Sequence, residues 1–292
     1  MLSSASRIAV RPAVAPISNG VQARNMATLK EIQLRLKSVS NIEKITKSMK
    51  MIASTKVTKA QRGMEAARAY GEASTAVYKN AETKAGTEGK TVFITVSSDS
   101  GLCGGIHSSV SKATKRALAQ NPEAGIIVLG DKAKAQLSRA ARKNMVLSFN
   151  QLGKDVPNFL IASTVANAIK ESGAEFDSAK IIFNEFKSVI AYEPKDVPVF
   201  SEEAFKASPN FAQYEIEDDV LANMQEFNFA NTILWGMAEG YASEMSAKRT
   251  AMENATKNAG EMITKLSMVY NRGRQAVITN ELIDIITGAS AL

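Results

Sequence analysis

The chain has 292 residues, of which 45% are apolar and 22% charged, so it is long enough to bury a large core and does not have a disordered composition. Its single cysteine excludes an internal disulfide and a zinc site built from cysteines. No apolar run approaches the roughly 18 residues that a membrane-spanning helix requires. The formal charge of +7 raises nucleic acid or an acidic membrane surface as a partner, but the charge is unevenly distributed along the chain.

Residues 1–26 have the composition of a mitochondrial targeting segment. They contain Arg7, Arg11 and Arg24, several serines, and no acidic residue. A secretory signal fits less well, because arginine and proline interrupt the apolar centre that such a signal needs. The remaining alternative is a disordered terminus that has no targeting function. We expect residues 1–26 to be a transit peptide and exclude them from the fold.

The segment 27–84 is predicted to form one long helix of a coiled coil. It lacks proline, and its apolar residues recur about every 3.4 positions, close to the spacing of about 3.5 in a left-handed coiled coil. It also carries 12 basic and 5 acidic side chains. The predicted seam consists of Leu29, Ile32, Leu36, Val39, Ile42, Ile45, Met49, Ile52, Val57, Ala60, Met64, Ala67 and Tyr70.

The segment 85–209 alternates strand-like and helix-like stretches. Strands are predicted at Thr91–Val96, Gly125–Gly130, Met145–Phe149 and Ala179–Phe186. Helices are predicted at Ile106–Gln120, Lys132–Lys143 and Phe159–Ser172. Such alternation is typical of a mainly parallel sheet with helices packed on it, so we expect a central Rossmann-like α/β domain.

The segment 210–292 repeats the coiled-coil signal of the first helix. It has no proline, its apolar positions recur about every 3.5 residues, and the pattern continues less regularly through Ile278, Leu282 and Ile285. It holds 6 basic and 11 acidic side chains, opposite in sign to 27–84. Opposite charges favour pairing of the two helices with each other. We therefore predict a long antiparallel two-helix coiled coil formed by 27–84 and 210–292.

The run Ser97 to Gly105 follows a predicted strand and precedes a predicted helix, where α/β folds often bind phosphate. It contains neither a P-loop nor the G-x-G-x-x-G spacing of dinucleotide sites. A tight turn that needs positive φ is the better interpretation. Three residues in or just after this run could form a catalytic triad, with Cys103 as nucleophile, His107 as base and Asp99 orienting the base. No acyl-transfer motif surrounds them, and a buried structural thiol beside a surface imidazole is favoured.

A run of basic residues on the first helix could track a nucleic-acid backbone. The segment has few aromatic residues on which bases could stack, so contact with an acidic protein partner is favoured instead. The basic residues are Lys44, Lys47, Lys50, Lys56, Lys59 and Arg62.

Three segments go beyond pattern to residue-by-residue similarity with a known family. The first comprises Leu29-Lys30-Glu31-Ile32, Arg35, the run from Lys44 to Ala53, and Lys56. The second is the run from Ser98 to Gly105. The third comprises Ser243-Glu244, Arg249, Ala251-Met252, Ala255, Asn258-Ala259, Leu266, Tyr270-Asn271, Arg274-Gln275-Ala276, Ile278-Thr279, Glu281-Leu282, Ile285 and Gly288. In this order they resemble the gamma subunits of rotary ATP synthases, and the targeting segment indicates the mitochondrial form.

The resemblance implies a rotary central stalk, present in one copy per complex. Its paired helices would enter a hexamer of alternating alpha and beta subunits, and its foot, with delta and epsilon, would rest on the c-ring. Rotation driven by protons would then bias three catalytic sites toward different conformations. Gamma itself would hold no cofactor, catalyse nothing alone, bind no nucleic acid, and reach the matrix side of the inner membrane only through the c-ring.

The resemblance also implies which residues touch the alpha and beta subunits. They are Met49, Lys50, Arg274, Gln275, Thr279, Glu281, Ile285 and Leu292. Two alternatives remain at this point. A dehydrogenase-like enzyme would need a glycine fingerprint that the chain lacks, and a coiled-coil adaptor or nucleic-acid protein would not need the patterned C-terminal tip.

Overall fold

The computed structural model describes residues 28–83, 90–153, 155–173, 176, 178–216 and 220–291. The helices are α1 (Leu29–Asn80), α2 (Ile106–Gln120), α3 (Asp131–Leu137), α4 (Phe159–Glu171), α5 (Glu202–Lys206) and α6 (Val220–Ser290). The strands are β1 (Thr91–Val96), β2 (Gly125–Leu129), β3 (Met145–Phe149), β4 (Ser178–Ser188) and β5 (Ala191–Val199). The described residues divide into two compact units: one combines residues up to Ser38 with those from Thr264 onward, and the other is Val39–Ile263. The predicted transit peptide, residues 1–26, lies outside the described residues.

The five strands form one sheet in the order β3-β2-β1-β4-β5. Strands β1 to β4 run parallel, and β5 joins β4 in antiparallel orientation at the edge. In the central register, Ile94 stands between Ile127 of β2 and Ile181 of β4. The parallel strands are nearly continuous apolar runs because both faces of the sheet are covered by helices.

Alternate residues of each central strand supply two separate cores. On one face, Phe93, Ile126 and Ile182 pack with Val110 of α2 and Leu137 of α3. Residues pointing to the other face pack with α4 and with the middle of α6. That second core contains Val92, Ile94, Val96, Ile127, Leu129, Ile181, Phe183, Ile169, Ile233 and Trp235.

The predicted central elements are largely confirmed. The four predicted strands match β1 to β4 within two residues at each end, and α2 matches its prediction at both ends. Helix α3 ends at Leu137, six residues before the predicted end, and a 3₁₀ turn at Arg142–Asn144 follows. Strand β5 was not predicted, since Pro194 and Pro198 argue against a central strand, and both prolines are tolerated only because β5 is an edge.

Within the unit Val39–Ile263, helices α1 and α6 pair in antiparallel orientation, as predicted. Later residues of α1 contact earlier residues of α6. Thr46 bonds to Thr256 at 2.8 Å between hydroxyl oxygens, and the Asn231 amide donates to the Ser74 hydroxyl at 2.6 Å. A cluster of Val57, Ala60, Met64, Tyr241, Ala242 and Met245 fills the space between these two levels.

The seam of α1 differs from the predicted one. The buried positions recur at heptad spacing and are Val39, Thr46, Ala53, Val57, Ala60, Met64, Ala67, Gly71 and Tyr78. Ile42, Ile45, Ile52 and Tyr70, which were placed on the seam, are exposed. Two adjacent apolar stripes run along this helix, and the seam uses the one with smaller side chains, because small residues let two helix backbones approach closely. The prediction was wrong about these four side chains.

Between Ala230 and Ser246, α6 is buried almost all round, because α1 covers one side and the sheet covers the other. Two glycines permit this fit. A Cβ on Gly71 of α1 would lie 2.8 Å from the indole of Trp235, and a Cβ on Gly236 would lie 3.2 Å from side-chain atoms of Ile181 and Phe183. The chain therefore has glycine where α6 passes between its two neighbours.

In the other unit, a capping box begins α1: the Thr28 N–H donates to Glu31 Oε2 at 2.9 Å, and the Glu31 N–H lies 3.4 Å from Thr28 Oγ1. Leu29 lies against Gly273, where a Cβ would approach its Cδ2 to 2.9 Å. Beyond Gly273, α6 continues to Ser290, and every residue from 274 to 291 is exposed. Over the described ranges, no helix combines the length and the hydropathy that crossing a membrane would demand.

Candidate functional site: exposed faces of the long helices

An exposed stripe on α1 lies beside the buried seam. Ile42, Ile45, Met49 and Ile52 follow one another at spacings of three and four residues and therefore share one side of the helix. Ile45 is 56% exposed, although isoleucine is among the residues most often buried. Lys56 and Lys59 continue the same side. We call Ile42, Ile45, Met49, Ile52, Lys56 and Lys59 the outer stripe; its apolar and basic parts suit an acidic protein surface.

The two predicted contact residues on α1 have different environments. Met49 is half-buried and lines a cavity of about 420 Å³ between the paired helices and the loops that follow β1, β2 and β3. Lys50 turns toward α6, where its Nζ lies 2.8 Å from Glu253 Oε1. This hydrogen bond holds the pKa of Glu253 below its ordinary value. Met49 thus faces a cleft, whereas Lys50 already has a partner within the chain.

The C-terminal tip, residues 274–291, brings together most of the other predicted contacts. Arg274, Gln275 and Glu281 are exposed. The Thr279 hydroxyl donates to the Gln275 carbonyl at 2.8 Å, so it is bonded within its own helix. Ile285 is 68% exposed. Leu292 lies outside the described residues.

Large apolar side chains project from most sides of the tip, with polar residues between them. Its exposed large apolar residues are Val277, Ile278, Leu282, Ile283, Ile285 and Ile286. Val277 and Ile286, nine residues apart, project from opposite sides of an α-helix. A helix with large apolar residues on opposite sides normally has other protein around it. The tip is therefore suited to a sleeve of other chains that surrounds it.

The glycine-rich run after β1 forms a turn, as the sequence indicates. Gly104 has a φ of 63°, and Leu102 adopts nearly the same value, 64°, without the freedom of glycine. Asp99 Oδ1 accepts a hydrogen bond from the Asp131 N–H at 2.8 Å, which ties this run to the start of α3. The loop is thus held by its own contacts at the carboxyl end of the sheet.

The structure does not assemble a triad from Asp99, Cys103 and His107. The Cys103 thiol is buried and donates to the Gly101 carbonyl at 3.1 Å. Burial, together with the nearby Glu244, raises the pKa of Cys103 to about 12, which disfavours the thiolate that a nucleophile needs. His107 bonds to the Ser97 hydroxyl and to the Ser100 carbonyl instead, and burial lowers its pKa. In the part of the chain described here, no group of three His, Cys, Asp or Glu side chains is placed to hold a metal.

Sequence reasoning missed a buried glutamate behind this loop. Glu244 of α6 is 2% exposed, and its Oε1 lies 3.6 Å from Cys103 Sγ. Burial raises the pKa of Glu244, and this effect exceeds the opposing effects of the polar neighbours Ser98, Ser100 and Cys103 and of the charge on Lys248. The residues around Glu244 give no signal that separates it from a solvated glutamate on a long helix.

Glu244→Gln is expected to stabilise the chain at neutral pH. Because the folded state raises the pKa of Glu244, folding is favoured most below the ordinary value of 4.5, and that advantage is lost as the pH rises through the raised pKa. Glutamine avoids the cost of ionising a buried group. The melting temperature at pH 7.5 should rise by about 2–4 °C per kcal/mol relieved.

Thermal unfolding of the purified variant and its parent at several pH values checks this. The rise in melting temperature should shrink as the pH falls to 4. Glu253→Gln is the control, since the pKa of Glu253 is lowered and its removal should not stabilise at neutral pH. A rise in the melting temperature of Glu244→Gln that is the same at every pH would contradict the raised pKa of Glu244.

Comparison with known proteins agrees with the geometry. A family model described as ATP synthase matches residues 28–292. The chain is 50% identical to the mitochondrial ATP synthase subunit gamma of Pichia angusta, over 91% of this chain and 100% of that one. It is 49% identical to the mitochondrial ATP synthase F(1) complex subunit gamma of Rattus norvegicus, with the same shares covered.

Solved structures are similar as well. A chain from the central stalk and c-ring of the Tetrahymena thermophila mitochondrial ATP synthase is 27% identical, with a TM-score of 0.62, covering 72% of this chain and 99% of that one. A chain from the Euglena gracilis mitochondrial ATP synthase, at 19% identity and a TM-score of 0.73, shares the fold over 90% and 94% of the two chains. With the long paired helices, the exposed tip and the strand order β3-β2-β1-β4-β5 in view, these matches place the chain in the ATP synthase family, among the gamma subunits of mitochondria.

Proposed function

We propose that the chain is the rotating central stalk of a mitochondrial F-type ATP synthase, coupling proton-driven rotation of a c-ring to conformational cycling of the catalytic beta subunits. The observation that carries this proposal is the tip, residues 274–291, which is exposed throughout and has large apolar residues on opposite sides. A hexamer of alternating alpha and beta subunits would provide the surrounding sleeve that such a helix requires.

The mechanism follows from asymmetry. A single helical pair inside a ring with three equivalent catalytic sites presents a different face to each site. Each site is biased only by the difference in contact free energy between its conformations. The outer stripe and the polar residues Arg274, Gln275 and Glu281 offer such differences, because they differ in charge and hydrogen bonding from one side of the helix to another. Rotation would exchange the roles of the three sites.

The remaining assignments follow from this role. The chain would assemble with alpha, beta, delta and epsilon subunits and with the c-ring, in one copy per complex. It would catalyse nothing alone and use no cofactor. It would lie on the matrix side of the inner membrane and reach that membrane only through the c-ring. The basic residues of the outer stripe would face acidic protein rather than nucleic acid.

Coexpression with its own alpha and beta subunits tests the proposal. We expect a stable complex that contains one copy of the chain and hydrolyses ATP with rotation of the chain. A variant lacking residues 274–292 should bind the hexamer more weakly, because the helix that fills the sleeve is missing. Recovery of the chain on DNA, without alpha and beta subunits, would overturn the proposal.

The mature protein is expected to begin near Ala27. Arg24 stands just upstream, and both the capping box at Thr28 and the family match begin directly after this point. Cleavage there would leave helix α1 with its cap intact. Mass spectrometry of the chain purified from mitochondria measures the terminus, and intact Met1 in the assembled complex would contradict the transit-peptide interpretation.

A further inference from the structure

A buried charged cluster lies where α1, α6 and the sheet meet, and the coupling described above does not use it. The Glu239 carboxylate on α6 is 0% exposed. Arg68 on α1 donates from Nε to Oε1 at 2.5 Å and from Nη2 to Oε2 at 2.9 Å. Trp235 donates from its indole N–H to Oε1 at 3.2 Å, and the backbone N–H of Phe186 in β4 donates to Oε2 at 2.9 Å.

The same arginine also binds the strand directly. Arg68 Nη2 donates to the Phe186 carbonyl at 2.9 Å, so one residue of β4 is held by both of its backbone polar groups. The hydrogen bond with Glu239 raises the pKa of Arg68, so the guanidinium keeps its charge. We call Arg68, Glu239 and Phe186 the three-element junction, because α1, α6 and β4 each contribute one member.

Several other polar contacts of the paired helices join only two of these elements. Thr46 with Thr256 and Lys50 with Glu253 connect α1 to α6. The Ser243 hydroxyl donates to the Asn184 carbonyl at 3.0 Å and connects α6 to β4. A rotation of the paired helices against the sheet can leave the contacts between α1 and α6 in place. It must distort the junction and the Ser243–Asn184 hydrogen bond, and of these two only the junction also holds α1.

The chemistry of the junction makes it resistant to such distortion. Apolar contacts are non-directional, so helices packed by them alone can shift slightly at little cost. A bidentate pair between arginine and carboxylate has a fixed planar geometry. In a buried setting, misalignment leaves charge and backbone groups without partners, which is costly. The junction therefore constrains angle, whereas the apolar core around it mainly provides cohesion.

We propose that Arg68 and Glu239 are positioning residues that set the torsional stiffness between the paired helices and the α/β sheet. This inference rests on the proposed rotary function, in which torque has to pass between these two parts of the chain. A stiff junction makes the sheet and the helices turn together. A loosened junction lets the sheet lag behind the helices under load.

Single-molecule rotation of the whole catalytic complex tests this. The alpha and beta subunits are fixed to a surface, and a bead is attached through Glu123→Cys, an exposed position in the α/β part; Cys103 is buried and should not compete for the label. In Glu239→Gln, the carboxamide keeps the shape of the side chain but loses the charge that faces Arg68. We expect the angular variance of the bead during catalytic pauses to at least double.

Glu226→Gln is the matched control, since it makes the same change on the same helix at an exposed ion pair with Lys170 of α4. Its angular variance should equal that of the parent. A merely structural role for Glu239 would lower the melting temperature and leave the variance unchanged, and that result would overturn the inference. If the parent complex did not rotate, the proposed function itself would fail instead.

Arg68→Lys provides a second route if Glu239→Gln does not assemble. Lysine keeps the charge but lacks the planar fork that reaches both Glu239 and the Phe186 carbonyl. The variance should rise in this variant too, by less than in Glu239→Gln. If neither variant assembled while Glu226→Gln did, the junction would be required for folding rather than for stiffness, and the proposal would be rejected.

Discussion

Replacing Arg274 and Gln275 together with alanine is expected to lower coupled ATP synthesis about tenfold or more, the change that roughly 1.4 kcal/mol of lost contact energy produces. Both side chains are exposed at the base of the tip. Arginine supplies a planar fork of donors suited to carboxylates, and glutamine both donates and accepts. Such directional contacts distinguish one angular position of the helix from another, which apolar contacts do not.

Removal of the last four residues, 289–292, is the comparison. That segment of the tip is small or apolar, so its loss should affect centring of the helix more than angular coupling. Synthesis and hydrolysis by the reconstituted complex measure the effect, with assembly checked on a native gel. If the double variant assembled and turned over like the parent, Arg274 would be an ordinary solvated charge and our assignment of these contacts would be wrong.

Phe183→Ala should lower the free energy of unfolding by about 3–5 kcal/mol, as expected for removing a large buried aromatic side chain. Phe183 is fully buried in β4, and its ring centroid lies 5.8 Å from that of Trp235. It also lies directly beneath Gly236 of α6, where a Cβ would come within 3.2 Å of the Phe183 ring. The cavity left by alanine would therefore loosen the contact of α6 with the sheet.

Urea denaturation of the purified chain measures this loss. Ile190→Ala is the control, because Ile190 in the β4–β5 turn is 83% exposed and contributes little buried area. Its free energy of unfolding should change by less than about 0.5 kcal/mol. Equal effects of the two substitutions would contradict the burial that we assign to Phe183.

The sequence was sufficient to predict the strands that are buried on both faces. β1, β2 and β4 are apolar runs bounded by turn residues, and parallel pairing follows from the helices between them. β5 could not be predicted in this way, because prolines and charged residues interrupt its apolar pattern. Its strand conformation depends on its pairing with β4. Edge strands are specified by their neighbour more than by their residues.

The long helices show a second limit. Heptad spacing predicted the two long helices, their opposite charges predicted the pairing, and a chain that runs up one helix and back along the other gave the antiparallel orientation. Spacing alone could not choose between two adjacent apolar stripes on α1. The choice depended on how closely Ala53 and Gly71 let α6 approach. As a result, Ile45 and Ile52 were assigned to the seam, whereas they belong to the outer stripe.

The charged residues inside the fold were the least predictable part of the candidate site. Nothing in the residues around Glu239 or Glu244 separates a buried glutamate from a solvated one on a long helix. Trp235, four residues before Glu239, offered the one local hint, since an indole N–H and a carboxylate at that spacing face each other. Arg68 and Phe186, which complete the junction, are distant in sequence and could be brought together only by the fold.

The two prolines of β5 have a further consequence for the chain before it meets its partners. An edge strand offers unpaired N–H and C=O groups on which the edge of another molecule can add. Pro194 and Pro198 are four residues apart, so their backbone nitrogens face the same edge of β5, and both lack the N–H that would donate from that open edge. A newly imported copy is thereby hindered from pairing edge to edge with a second copy, and it can remain single while it waits for assembly.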